Sequence, residues 1–188
     1  MRVKKQHGQH HRTVSAVVAL GLGATGVLAL ATPASATPVD ITCLTGMRNT
    51  AYTPSLTYTP QPTNLQITDN FSCTSLLSGV SSGSGTFSAY APSSSCLASV
   101  QSPLTSITTT YHWNTGASST IVFASSTAVR AANGTVTVTS VGTVTAGLGV
   151  GQAATRVTVE PNLDLAACLD GGLSETNSVV NSLVIAPV

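Results

Sequence analysis

The chain has 188 residues with a formal net charge of +1, and only 7% of them are charged, against roughly 25% in an ordinary soluble domain. Four of its seven Lys and Arg residues lie in the first twelve positions, which leaves too few cations for the basic surface that a nucleic-acid-binding protein needs. The hydrophobic content of 42% is normal for a folded protein and argues against wholesale disorder.

The N-terminal segment, residues 1–36, has the organisation of a secretory signal peptide. A basic stretch at residues 1–12 precedes an apolar run at residues 13–31, and the small-x-small pattern that signal peptidase requires follows at residues 34–36. The alternative is a membrane anchor, but the run contains three glycines and many alanines and only borders on spanning length. We therefore expect a secreted protein that keeps residues 37–188 and has no membrane span after cleavage.

The expected mature segment contains 152 residues (188 − 36), which suits a single domain. With three arginines and six acidic residues its net charge is −3, and it has no lysine. Thr and Ser occupy 26 and 22 of its positions, and these residues favour β-structure and turns respectively.

The mature segment has the pattern of a series of short β-strands. Apolar and polar residues alternate in runs rich in Val, Thr and Ile, and clusters of Gly, Pro, Asn and Ser separate the runs, which is typical of a β-sandwich or barrel. The predicted strands cover residues 39–43, 65–68, 107–113, 120–124, 134–139, 141–146, 156–160 and 179–185. The one predicted helix is a short turn at residues 163–169.

Turn-forming residues predict the connections between these strands. The dipeptide Asn133-Gly134 predicts a hairpin, and the glycine-rich run at residues 147–151 predicts a turn between two strands. The Ser- and Gly-rich stretches at residues 78–85 and 92–95 are predicted loops. Residues 52–63 contain three prolines, so they are interpreted as an edge strand or an extended arm.

Four cysteines, Cys43, Cys73, Cys96 and Cys168, follow the signal peptide and predict two disulfides, for which three pairings are open. We favour Cys43–Cys73, which would join neighbouring strands, and Cys96–Cys168, which would hold the long C-terminal half. A zinc site is excluded by the spacing, because no C-x-x-C motif is present and His112 is the only histidine of the mature segment.

The order Cys96, Trp113 and Cys168 is similar to the Cys–Trp–Cys pattern of immunoglobulin domains. However, the segment before Cys96 is too long for one leading strand, and Ala166 stands where that pattern has a tyrosine. These departures leave the immunoglobulin domain as an analogy for the architecture only. From the strand pattern we predict an all-β fold for residues 37–188, a single disulfide-bonded antiparallel β-sandwich that is immunoglobulin-like in architecture, with at most one short helical turn.

Residues with catalytic potential are few in the mature segment. A serine hydrolase would depend on His112, but this residue lies in a predicted strand and no G-x-S-x-G motif is present. Asp164 and Asp170 could supply a carboxylate pair, yet they flank the predicted helical turn, where capping explains them. With Glu175 they could also bind Ca²⁺, although the D-x-D-x-D-G loop is absent. We predict no enzyme activity, no catalytic residues, no cofactor and no metal.

Tyr52, Tyr58 and Tyr90 are the candidate ligand-binding residues. Exposed aromatic rings can stack on sugars, as they do in carbohydrate-binding modules with β-sandwich folds. Tyr111 and Trp113 alternate with polar residues in one predicted strand, so their rings could equally face inward. We favour the core for Trp113.

Several segments resemble a group of small exported proteins from streptomycete-type actinobacteria. The similar segments are the signal peptide, Ile41-Thr42-Cys43, Tyr111-His112-Trp113-Asn114, residues 129–134 and residues 161–169. The resemblance spans most of the mature chain and implies a secreted all-β protein, in a group without a characterised function. In composition the chain is also similar to the enediyne-carrying apoproteins of the same bacteria, whose cysteine loops are shorter.

The favoured function is a secreted, non-enzymatic interaction or cell-envelope module whose partner is an unidentified protein or glycan. The alternative is a carbohydrate-binding module that uses exposed Tyr residues. An enzyme and a small-molecule carrier are the remaining alternatives, and the scarcity of titratable side chains argues against the enzyme.

Overall fold

A computed structural model describes residues 39–97, 106–163 and 165–187, with the exception of the Val180 side chain. The predicted signal peptide and Asp164 lie outside the described residues. The described part is almost entirely β-structure with one short helix, as the sequence predicts. Its elements in chain order are β1 (Ile41–Leu56), β2 (Gln61–Ser75), β3 (Ser82–Ser94), β4 (Ile107–Trp113), β5 (Ser118–Arg130), β6 (Val136–Gly147), β7 (Ala153–Glu160), α1 (Leu165–Leu169), β8 (Leu173–Asn177) and β9 (Val180–Ala186).

The strands form a closed eight-stranded antiparallel barrel with one extra strand, so the predicted immunoglobulin-like β-sandwich is wrong. Strands β1 to β7 pair in chain order, β7 pairs with β9, and β9 pairs with β1 to close the sheet. The closure depends on β1, which has 16 residues and pairs with β2 along most of its length. Its first residues, Ile41 to Cys43, pair with β9, whereas its second half pairs with the extra strand β8. A sandwich and a barrel share the same inward–outward alternation, so the sequence pattern alone could not separate them.

Strand β4 shows how the two-residue period builds the barrel wall. Thr109, Tyr111 and Trp113 point inward and are buried, whereas Thr108 and His112 are exposed. This confirms the core assignment of Trp113. The predicted hairpin at Asn133-Gly134 is also present, and Gly134 adopts a φ of +86°, which glycine tolerates without strain.

The predicted loop at residues 78–85 is partly wrong, because β3 already begins at Ser82. Its two strand glycines leave room for aromatic rings of β4. A Cβ atom at Gly83 would collide with the Trp113 ring, and one at Gly85 would lie 2.6 Å from Cδ1 of Tyr111. Gly83 and Gly85 therefore mark close packing inside a strand and not a turn, whereas Gly79, with a φ of +68°, lies in the turn before β3. The predicted loop at residues 92–95 likewise overlaps the end of β3.

The strand predictions for residues 134–139 and 141–146 belong to one strand, β6. Gly142 lies against the β5 backbone near a register shift of the β5–β6 pair. Of the proline-containing residues 52–63, residues 52–56 end β1, residues 57–60 connect the strands and residues 61–63 begin β2. The expectation of an edge strand or an extended arm is wrong for the end of β1, because it pairs with β2 through Thr53 and with β8 through Leu56. The sequence predicted only residues 39–43 as a strand here and therefore underestimated the length of β1.

The two disulfides lie at opposite ends of the barrel. Cys43–Cys73 joins β1 to β2 at the upper end, where β1 begins, and Cys96–Cys168 joins the segment after β3 to α1 at the lower end. This is the pairing that the sequence favoured. The two bonds are compatible with an oxidising, extracellular location.

Candidate functional site

The barrel interior contains a layer of polar and charged side chains between two apolar clusters. Strand β1 passes through all three parts. Its residues Ile41 and Cys43 belong to the apolar cluster at the upper end, which we call the upper cluster, and Arg48 lies in the polar layer. Tyr52 and Leu56 belong to the apolar cluster at the lower end, which we call the lower cluster. The polar layer consists of residues that are at most 7% exposed: Arg48, Asp69, Tyr111, Arg156, Thr158 and Asn181. A polar side chain that is buried this deeply is costly without a hydrogen-bond partner, and each of these six side chains makes at least one such bond.

Asp69 is the centre of this layer. Arg48 donates to both carboxylate oxygens, from Nε at 2.8 Å and from Nη2 at 2.9 Å. The Tyr111 hydroxyl donates to Oδ2 at 2.9 Å, and Nδ2 of Asn181 donates to Oδ1 at 2.8 Å. The carboxylate thus accepts four hydrogen bonds from three side chains, two of them in the bidentate geometry that suits a guanidinium.

Arg156 is the second buried cation of the layer. Its Nη1 donates to the Tyr111 hydroxyl at 3.0 Å and lies 3.6 Å from Oδ2 of Asp69. Its guanidinium carbon lies 4.3 Å from the centre of the Phe123 ring and 5.2 Å from that of Phe87, where the ring faces stabilise the positive charge.

The protonation of the layer follows from burial and from these contacts. Burial alone would raise the pKa of the Asp69 carboxyl, but Arg48 and Arg156 outweigh it and hold that pKa below its usual range. Burial lowers the pKa of Arg156, and the neighbouring charge of Arg48 adds to this shift. Glu160 lies half-buried at the end of β7, and burial raises its pKa. The layer itself contains two arginines and one carboxylate, and the charges of both arginines favour the ionised form of Glu160 without offsetting the effect of its burial.

The outer surface of β1, β2 and β3 carries a shallow groove, which we call the Tyr90 groove. It has a volume of about 460 Å³ and is lined by Thr53, Asn64, Leu65, Gln66, Ser88, Ala89 and Tyr90. None of these described lining residues carries a charge. The volume lies within the range of about 300–1,000 Å³ that is typical of ligand sites.

The strand register determines how the groove is arranged. Thr53 of β1 pairs with Asn64 of β2, which pairs with Tyr90 of β3, so the three exposed side chains form one row across three strands. In the next row Ser88 donates a hydrogen bond of 2.7 Å to Oε1 of Gln66. Tyr90 is 58% exposed. The groove therefore offers an aromatic face beside hydroxyl and amide groups that can donate and accept hydrogen bonds.

The structure separates the three candidate tyrosines. Tyr52 is 9% exposed, its hydroxyl shares a hydrogen bond of 2.9 Å with Thr176, and burial raises its pKa to about 12. Tyr58 is half-buried against the lower cluster and donates a hydrogen bond of 3.1 Å to the carbonyl of Leu165. Only Tyr90 presents its ring to the outside, so the three residues do not share one platform.

A second, smaller cavity lies at the lower end of the barrel. It has a volume of about 100 Å³ and is lined by Cys96, Leu97, Arg130, Gly134, Val136, Pro161, Asn162, Leu163 and Leu165. Nη1 of Arg130 donates to the carbonyl of Gly134 at 3.2 Å. This volume is well below the range of about 300 Å³ or more that is typical of ligand pockets.

The described residues that were considered for chemistry do not form a metal-binding group. His112 is exposed on β4, between Ser84 and Ser118 of the neighbouring strands. Among the described residues no group of His, Cys, Asp or Glu could hold a metal ion, and Asp164 lies outside them. Within the same residues, no helix has the length and apolar character of a membrane span.

The sequence did not single out the polar layer or the amides of the groove. The alternation in β2 does indicate that Asp69 is buried, because Asp69 has the same inward phase as the buried residues Ile67 and Phe71. Asn64 and Gln66 occupy the outward phase of a predicted strand. Their neighbours Ser88 and Tyr90 are more than twenty residues away in sequence and become adjacent only through the β2–β3 register.

No protein-family model, curated protein or solved structure matches the chain. The resemblance to small exported actinobacterial proteins stays a prediction.

Proposed function

We propose that this protein is a secreted, non-enzymatic binding module and that it binds glycans through the Tyr90 groove. The observation that supports this function best is the exposed Tyr90 ring beside amide and hydroxyl side chains on an uncharged surface. An aromatic face contacts the apolar C–H face of a sugar ring, while planar amides and hydroxyls hydrogen-bond the sugar hydroxyls.

The position of the groove on paired strands favours binding. Strands β1 and β2 pair from Ile41–Ser75 to Thr53–Asn64, and β2 pairs with β3 over a comparable length. The paired strands already fix the backbone beneath the groove, so binding has to order only the exposed side chains. Neutral hydroxyls and amides also avoid the cost of removing a charge from water.

The non-enzymatic part of the proposal is supported by the placement of the titratable groups. Glycoside hydrolysis uses two carboxyl groups about 5–10 Å apart on either side of the bond that is cleaved. The described residues that line the groove include neither a carboxylate nor a histidine. Asp69 is engaged by Arg48, Tyr111 and Asn181 inside the barrel.

Retention of the protein on immobilised polysaccharides tests this function. We expect the wild-type protein to be retained by at least one polysaccharide and Tyr90→Ala to weaken the association by about tenfold or more, as the loss of an aromatic contact and its buried area implies. His112→Ala is the matched control, because His112 is exposed on the same barrel surface but outside the groove. Failure of every polysaccharide to bind, or turnover that disappears in His112→Ala, would contradict the proposal.

A protein partner is a second candidate, favoured by the turn between β2 and β3. Leu76 and Leu77 are 86% and 77% exposed there. Asn114 holds the same turn, because its Oδ1 accepts hydrogen bonds from the backbone N–H groups of Ser81 and Ser82. If this turn binds a protein, the double variant Leu76→Ser and Leu77→Ser should lose a partner that the wild type and Tyr90→Ala both retain from culture supernatant.

A further inference from the structure

We infer that the Tyr90 groove binds an extended, uncharged glycan across the strands, with one sugar ring on each of β3, β2 and β1. This inference rests on the proposed function and adds the size, direction and charge of the ligand. It is based on the row formed by Tyr90, Asn64 and Thr53, which points outward across three neighbouring strands.

The spacing of this row suits an extended sugar chain. Neighbouring strands lie about 4.8 Å apart, which is close to the length of one pyranose unit in an extended β-1,4-linked chain. A chain perpendicular to the strands therefore places successive rings over successive strands. A strongly curved chain, such as an α-1,4-linked glucan, leaves the row after its first contact.

The three positions differ in chemistry. Tyr90 offers the only aromatic ring among the described lining residues, so it holds the first sugar by stacking. Asn64 offers an amide, which can donate to one sugar hydroxyl and accept from another, and Thr53 offers one hydroxyl. We therefore expect the first ring to supply most of the affinity and the third ring to supply the least.

The charge of the surroundings favours an uncharged chain. No described lining residue of the groove is cationic, so a uronate would find no partner for its carboxylate. Beyond the β1 end of the groove, Glu175 of β8 pairs with Ala51, which pairs with Gln66 of the groove. Glu175 is exposed and places a negative charge on this side, which repels an acidic chain.

A chain-length series measures these positions directly. The probes are β-1,4-linked oligomers of glucose and of N-acetylglucosamine with one to six rings, titrated into the oxidised full-length mature protein and followed by calorimetry. We expect the association constant to rise by about threefold to tenfold with the second ring, as one or two hydrogen bonds allow. The third ring should add a smaller increase, and longer chains should add none.

Matched variants assign each step to a residue. Tyr90→Phe keeps the ring and should bind within about threefold of the wild type, whereas Tyr90→Ala should lose about tenfold or more for every chain length. Thr53→Val removes one hydroxyl with little change in shape and should abolish only the gain between two and three rings. Circular dichroism and the thermal midpoint of each variant show that the barrel is intact.

The outcomes separate this inference from the proposed function. A plateau at three rings that Thr53→Val moves to two rings, with no binding of α-1,4-linked oligogalacturonate, supports the inference. Three results would overturn the inference and leave the glycan-binding function intact, provided that binding depends on Tyr90. The affinity could reach its plateau at one ring, it could continue to rise beyond three rings, or oligogalacturonate and maltohexaose could bind as tightly as the β-1,4-linked oligomers. If no oligosaccharide or polysaccharide binds the wild type, both are wrong.

Discussion

Replacement of Asp69 by Asn removes the one carboxylate around which the buried polar layer is organised. The carboxylate accepts two hydrogen bonds from Arg48 and one each from Tyr111 and Asn181, and Arg156 lies within 3.6 Å. Asn has nearly the same shape, so the change leaves the packing in place and removes the negative charge. Its amide group also directs N–H donors towards a guanidinium that can only donate.

The expected loss of stability follows from the charges that remain. When one partner of a buried ion pair is removed, the cost is about 3–5 kcal/mol, because the other charge stays buried without compensation. Among the described residues, the remaining negative charge that interacts with both Arg48 and Arg156 is that of the half-buried Glu160. We therefore expect Asp69→Asn to lower the free energy of unfolding by about 4 kcal/mol, a large part of the 5–15 kcal/mol of a typical domain.

Urea unfolding of the oxidised protein at pH 7 measures this loss. With a slope of about 2 kcal/mol per M, a loss of about 4 kcal/mol lowers the midpoint by about 2 M. Asp170→Asn is the matched control, because Asp170 is exposed and its replacement should leave the midpoint unchanged. A shift for Asp69→Asn as small as that of the control would refute the assignment of the buried layer as a major source of stability.

Three further variants test other parts of the structure. Because burial raises the pKa of Glu160, its ionised form destabilises the fold above that pKa; Glu160→Gln should therefore raise the free energy of unfolding at pH 7, and the gain should vanish as the pH falls below the usual carboxyl range. Gly83→Ala places a methyl group against the Trp113 ring, and we expect a loss of about 1–3 kcal/mol in the same urea assay, with unchanged stability arguing against close packing there. Removing Cys96–Cys168, which encloses 72 residues, should cost about 4.4 kcal/mol, against about 3.6 kcal/mol for Cys43–Cys73 with 30 residues; the reverse order in calorimetric midpoints would show that loop length does not dominate.

Local patterns were sufficient to predict several elements. The alternation in residues 107–113 predicted β4 and its buried face, and Asn133-Gly134 predicted the β5–β6 hairpin. The disulfide pairing was favoured because Cys43–Cys73 would join neighbouring strands and Cys96–Cys168 would hold the long C-terminal half, and the structure contains both bonds. The strand and the hairpin depend on residues that are close in sequence, where backbone propensity and the two-residue period decide the outcome.

The candidate site could be predicted only in part. The sequence proposed Tyr52, Tyr58 and Tyr90 together, although the phase of each strand places Tyr52 inside the barrel and Tyr90 outside. A shift of one residue in register exchanges the two faces of a strand, so the exposure of a tyrosine is decided by its pairing partners. The association of Tyr90 with Asn64 likewise depends on the β2–β3 register.

The sequence by itself determined a β-rich, disulfide-bonded domain with few charges, because composition is counted directly from the chain and alternation depends only on neighbouring residues. Only the tertiary structure decided between a sandwich and a barrel, since the closing contact pairs Ile41 of β1 with Ile185 of β9. It also decided that Asp69 meets Asn181, 112 residues away, in the barrel interior. In a closed barrel the register of all the strands together determines which inward side chains lie at the same height. Contacts of this kind therefore depend on the complete sheet and not on any one segment of the sequence.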